Sequence, residues 1–201
     1  MDISINSLPI NSVKTLEIDL SQKPKRGSLK EKKKIEPKEK KKRVITNHSA
    51  WKFTDADLTD ENQWKLLNEV YSIHKESEFE RIHRWIISQI KGKIYGYLGQ
   101  DAEKREKIAN PESAIAPNLS NILQKLVDSN IECFYCKEKV RILYEYVRDN
   151  RQWTLERINN KEGHHVNNVE IACLGCNLKR RTMFHERYVF TKQMTIKKSE
   201  S

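Results

Sequence analysis

The four cysteines of this chain fall in two pairs, Cys133-Phe-Tyr-Cys136 and Cys173-Leu-Gly-Cys176, with 36 residues between them. Two thiolates three positions apart grip one ion from a tight turn, and four complete the tetrahedral set that zinc prefers in closed structural sites. A closed site leaves no position for water, so such a zinc holds structure and does not perform catalysis. Disulfides are disfavoured because nothing in the sequence indicates an oxidising compartment. A thioredoxin-like redox pair would be a single CxxC in a βαβ context, which is absent.

The sequence around the pairs suggests a compact unit. Lys137-Glu-Lys-Val140 followed by Ile142, Leu143, Tyr144 and Tyr146 reads as a turn and a strand, and Gln152-Trp-Thr-Leu-Glu-Arg-Ile158 as a second strand. Asn159-Asn-Lys-Glu-Gly163 is a loop by its turn residues, and Val169-Glu-Ile-Ala172 is short and β-prone. Asn177 to His185 reads as a helix with Cys176 at its start. Knuckle, hairpin and helix around one zinc can fold despite a small core, because metal binding contributes folding free energy.

Upstream, the charge is unevenly placed. Of a formal net charge of +10, residues 23–43 carry +9 and residues 137–201 carry +6, while residues 1–22 carry −2 and residues 44–136 carry −3. Lys23 to Arg43 has almost no aliphatic residue and no aromatic one, so ordering it would lose backbone entropy that burial cannot offset. Residues 1–48 are therefore read as a disordered basic tail, suited to counterion release on nucleic acid, to nuclear import, or simply to solubility. Residues 193–201 are read as a flexible C-terminus. No run approaches the roughly 18 apolar residues of a membrane span, and Met1 to Gln22 lacks the pattern of a secretory signal. The expected setting is intracellular, cytoplasmic or nuclear, with no membrane partner.

Residues 49–129 read as a helical extension. Thr59 is a candidate cap for a helix through Trp64, Leu67, Val70, Tyr71 and His74, with Asp60 and Glu61 in its first turn. Ser77 with Glu80 fits a capping box before a stripe of Phe79, Ile82, Ile86 and Ile90, after which Gly92, Gly96 and Gly99 are expected to break the pattern. Tyr95 and Tyr97 are then expected to pack a turn, base stacking being the alternative. A third helix is expected from Asn118 through Val127. His74 and His83 read as packing or surface residues.

Taken together, Cys133-x-x-Cys136, Trp153-Thr-Leu-Glu-Arg-Ile158, Gly163-His-His-Val-Asn-Asn-Val169 and Cys173-x-x-Cys176-Asn177-x-x-Arg180 resemble the HNH (ββα-metal) endonuclease family. They are most similar to the branch found in large DNA viruses and phages, in which an acidic-Arg-Ile strand replaces the usual Asp-His pair. The resemblance covers about the last 70 residues. It implies an α+β chain whose residues 130–192 form a small treble-clef-like zinc and nuclease domain, with DNA as partner and a homodimer as an open option. By position, Asn168 matches the central Asn that steadies the loop, and Asn177 matches the family's metal-binding third letter. Glu156 falls at the first acidic or His position.

The family's general base is typically a His on the first strand, where this chain has Leu155-Glu156-Arg157. Two assignments stay open. Glu156 ligates Mg²⁺ or Mn²⁺ as a hard oxygen donor while His164 or His165 deprotonates water, or Glu156 is itself a weak base and the histidines contact phosphate. The first is preferred because imidazole titrates near neutrality, and His164 is preferred over His165 because the position after the loop Gly resembles a family feature, a solvated neighbour being the alternative for His165. Arg157, His165, Lys179, Arg180 and Arg181 are candidate phosphate contacts, a solvated helix face being the plain alternative for the helical ones. His185, expected two turns beyond Asn177 on the same helix, is given no role. The implied reaction is metal-dependent hydrolysis of a DNA phosphodiester. The alternatives are a zinc-stabilised DNA-binding protein without catalysis and a zinc-knitted protein-interaction module.

Overall fold

The computed structural model describes residues 39–49, 51–73, 79–104 and 110–194. All but the last two of these belong to one compact unit, Lys38–Lys192. Of the tail expected over residues 1–48, the part up to residue 38 lies outside the described residues, as do the cap candidate Ser77, His74 and residues 195–201. Residues 39–48 are described and include a 3₁₀ turn at Val44–Asn47.

Helix α1, Asp60–Ser72, starts where Thr59 accepts a hydrogen bond from the Asn62 amide, with Asp60 and Glu61 in its first turn. Its buried side is Gln63, Leu67 and Val70. Helix α2, Arg81–Glu103, is capped by Glu80, whose own amide donates to His83 Nδ1 in a reciprocal capping box. Among the described residues the capping pair is Glu80 with His83. His83 also bonds Glu69 across the helix pair at 3.1 Å. Helix α3, Leu119–Asp128, begins at Asn118 and buries Ile122, Leu123 and Leu126.

The expected break at the glycines does not occur. Gly92, Gly96 and Gly99 lie inside α2, where a Cβ would meet nothing within 4 Å. Each costs the helix about 1 kcal/mol relative to Ala. Burial of Ile86, Ile90 and Ile94 on the opposite side offsets that loss. Tyr95 and Tyr97 consequently sit on a helix and pack no turn.

Strand β1, Trp153–Arg157, pairs antiparallel with β2, Val169–Cys173, with Leu155 opposite Ile171 and Trp153 opposite Cys173. Helix α4, Leu174–Arg180, follows β2 directly. A last helix, α5, spans His185–Gln193. The helix expected over Asn177 to His185 is therefore two helices. The first starts before Cys176, and the chain turns at Arg181 with φ of +52°. The described residues thus form an α+β arrangement of five α-helices and one two-stranded sheet.

The strand expected through Ile142 to Tyr146 is also absent, only isolated bridges marking the region. Gln63 supplies the reason. Its buried Oε1 accepts the amide protons of Ile142 and Leu143 at 2.8 and 2.9 Å. A side chain thus satisfies donors that would otherwise need a strand neighbour. Residues from α1, α2, α3, both strands and the cysteine segments join one hydrophobic core. The boundary expected between residues 129 and 130 accordingly falls inside a single unit.

Candidate functional site

Cys133 and Cys136 flank a tight turn. The Lys137 amide returns to the Cys133 carbonyl at 2.9 Å, with Lys137 at a φ of +60°. Cys173 ends β2 and caps α4, its Sγ accepting from the Cys176 amide at 3.3 Å. The four sulfurs lie within 4.8 Å of one another. Regular tetrahedral zinc with bonds of about 2.3 Å sets its sulfurs about 3.8 Å apart, so the group has the size and chemistry for one zinc ion. In this crowd of thiols, hydrogen bonding lowers the Cys133 thiol, while the same contacts push Cys173 up and Cys176 up to about 12. Four thiolates side by side need a cation to offset their repulsion.

On the same ββα element, a cleft of about 470 Å³ opens between β1, α4 and the end of α2. Glu156, His164 and Asn177 line it together, as do Arg157 and Arg181. Tyr97, Gln100, Arg148 and Asn160 complete its polar wall. Asn177 donates from Nδ2 to the Thr154 hydroxyl at 3.3 Å, which commits the amide nitrogen. Glu156 is 5 % exposed and ion-paired with Arg180 through Oε1. Burial dominates its titration and holds the carboxyl above its usual range despite the Arg180 guanidinium.

His164 is held from outside the ββα element. Asp101, near the end of α2, accepts from the His164 amide through Oδ2 at 2.5 Å and from Nδ1–H through Oδ1 at 2.8 Å. With Nδ1 as donor, Nε2 carries the lone pair. Asn110 accepts from the Gly163 amide at 2.7 Å. A Cβ on Gly163 would stand 2.9 Å from Asp101 Oδ2 and 3.1 Å from Asn110 Oδ1, so this close approach accounts for the glycine. Tyr97 stacks on the imidazole with ring centroids 4.6 Å apart, and burial pushes its hydroxyl up to about 12. Burial also lowers the His164 pKa, outweighing the upward pulls of Asp101 and the Leu155 carbonyl.

Asn168 is buried beneath this loop. Its Oδ1 accepts from the Asn159 amide at 2.8 Å, and its Nδ2 donates to the Asn159 and Gly163 carbonyls at 3.0 and 2.9 Å. No family model, curated protein or solved structure matches this chain.

Two of the expected phosphate contacts are placed elsewhere. Arg180 is 2 % exposed, and its guanidinium serves Glu156, the Arg157 and Ile158 carbonyls and Asn160. It ties α4 to β1 and the loop and presents no charge to solvent. His165 is buried and bonds Glu162 at 2.7 Å. Lys179 is exposed but does not line the cleft. Arg157 donates to the Asn160 and Glu162 carbonyls at 3.3 and 3.0 Å while lining the cleft. His185 opens α5, with Nδ1 3.3 Å from the Tyr135 hydroxyl. Asp101, Asn110 and Arg148 were not anticipated. Tyr97 and Asp101 are four apart on α2, a helical spacing legible only if the helix continues past its glycines. No helix among the described residues is long and apolar enough to cross a membrane.

Proposed function

We propose that this chain is a metal-dependent DNA endonuclease of the HNH (ββα-metal) kind, on a treble-clef-like unit closed by a structural zinc. The observation that carries the reading is the convergence of Glu156, His164 and Asn177 on one cleft walled by Arg148, Arg157 and Arg181. Cys133, Cys136, Cys173 and Cys176 would hold the zinc. Glu156 and Asn177 offer hard oxygens to Mg²⁺ or Mn²⁺, since Arg180 engages only Oε1 of the carboxylate and Thr154 only the nitrogen of the amide. When bound, such a cation polarises the phosphate and stabilises the leaving 3′ oxygen.

The chain's own residues supply the remaining steps. His164 takes a proton from water at Nε2, because Asp101 fixes the tautomer and burial keeps the ring neutral near pH 7. Asn168 holds the loop that presents His164. Arg148, Arg157 and Arg181 neutralise neighbouring phosphates. The test is nicking of supercoiled plasmid with added Mg²⁺ or Mn²⁺, abolished by His164→Ala and by Asn177→Ala. Activity untouched by both substitutions rejects the assignment.

One observation favours a second reading, a zinc-stabilised DNA-binding protein without catalysis. The Glu156 carboxylate already has a cationic partner in Arg180, which reduces its call on a metal. Salt-dependent duplex binding with no product under any divalent cation would select that reading.

A further inference from the structure

Arg43 ends the lysine-rich run and also fastens it to the fold. Its amide donates to the Glu145 carbonyl at 2.8 Å. Its guanidinium donates to the Tyr144 carbonyl at 3.1 Å and to Gln89 at 3.0 Å, and it lies 4.1 Å from the centre of the Tyr144 ring. Just before it, the Lys41 carbonyl accepts from the Val147 amide at 2.9 Å, and Lys42 bridges Tyr146 in antiparallel register. The Lys40 and Lys42 ammonium groups sit 5.9 and 6.0 Å from the Tyr146 ring centre. The end of the basic run is therefore laid along residues 145–147 by backbone bonds, with its lysines exposed.

The next residue along that segment is Arg148, which is exposed, has a φ of +58° and lines the cleft of His164. We propose that Lys40, Lys41, Lys42 and Arg148 form a fixed cationic track that receives the sugar-phosphate backbone of duplex DNA on one side of the cleft. The inference rests on the nuclease reading for the position of the scissile bond. Duplex DNA fits the track because it presents one negative charge per about 1.7 Å of axis, a continuous line of acceptors for closely spaced lysines. Lysine ammonium groups address phosphates and not base edges, so the track aligns without reading sequence.

Two measurements test this on the full-length, zinc-loaded chain. In the His164→Ala background, duplex affinity is followed by fluorescence anisotropy from about 50 to about 200 mM salt. Combined Lys40→Gln, Lys41→Gln and Lys42→Gln is expected to lower the slope of log affinity against log salt by about 2 to 3, and Arg148→Gln by about 1. An unchanged slope in a variant with unchanged melting temperature overturns the track, as does equal affinity for polyglutamate. In the second measurement, a photocrosslinker replaces Lys40 and its contacts are mapped on the duplex. Crosslinks are expected to cluster on one side of the nick and to spread when Arg43→Ala releases the anchor. Even spreading with Arg43 intact refutes a fixed track. The affinity measurement needs no cleavage. A reduced slope with no nicking by the parent chain therefore removes the nuclease reading alone, while nicking by the parent chain with an unchanged slope removes the track alone.

Discussion

Replacing Asp101 by Asn separates an aimed imidazole from one that merely lies nearby. Asp101 accepts two N–H groups of His164, the amide at 2.5 Å and Nδ1–H at 2.8 Å. An asparagine offers one acceptor and one donor in that space, so one of the two bonds is lost. A hydrogen bond to a charged group contributes about 1.5–3 kcal/mol, which bounds the stability loss. The chemical effect is larger. If the amide nitrogen faces Nδ1, the imidazole keeps its acceptor there and carries its proton on Nε2, where it cannot act as a base. Removal of general-base catalysis costs about 10²–10⁴ in rate. We expect Asp101→Asn to lower kcat for plasmid nicking by about 10²-fold or more, with KM within a few-fold of the parent and zinc content intact. Asp101→Glu should recover part of the rate. A kcat within about threefold of the parent, in a series where His164→Ala is inactive, would refute the argument that α2 aims the base.

Other outcomes follow from the same geometry. One zinc per chain is expected by elemental analysis, and Cys136→Ser or a strong chelator should lower the melting temperature and loosen the β1–β2–α4 element, because metal binding contributes to folding. The folded pKa of His164 lies below its ordinary 6.5, so the unfolded chain takes up the proton first. Its contribution to stability is complete above about 6.5 and is lost as pH falls toward the folded value. The acidic, ascending limb of a pH–rate profile should likewise sit below 6.5 and shift in His164 variants. Gly163→Ala would drive a methyl group toward Asp101 and Asn110, and a stability loss of about 1–3 kcal/mol is expected by thermal melting. Lys93, whose Nζ donates to the Trp153 carbonyl, is lowered by burial and by Arg43 to about 7 from 10.5. Its contribution therefore falls as pH drops from 10.5 toward 7, and the stability difference between parent and Lys93→Met should change across that window.

The C-terminal elements were legible because their signals are local. Trp153–Arg157 and Val169–Cys173 carry β-prone residues between turn residues, and Thr59 and Asn118 announce their helices by chemistry that acts within one turn. Misreadings arose where a distant group substitutes for a local one. Three glycines suggested a break, yet the apolar stripe through Ile94 on the other side of α2 carries the helix past them. Ile142 and Leu143 have strand composition, but Gln63 takes their amide protons. In the cleft, Glu156, His164 and Asn177 were named only through the family resemblance, whereas Asp101 and Asn110 lie more than fifty residues from the loop they clamp and lie outside the motifs that carry it. Arg180 sits in a row of cations that reads as a solvated face, and only the packing of α4 against β1 assigns it to the interior.

The Gln63 bond pair also bears on the order of assembly. The segment just after the first cysteine pair cannot complete its backbone bonding until α1, some eighty residues earlier, has docked. Contacts of such long sequence separation form late because the intervening loop must first be closed. Metal capture and helix docking should then advance as one event during refolding. A chain supplied with zinc before dilution from denaturant and one supplied afterwards should reach the native state with the same slow phase.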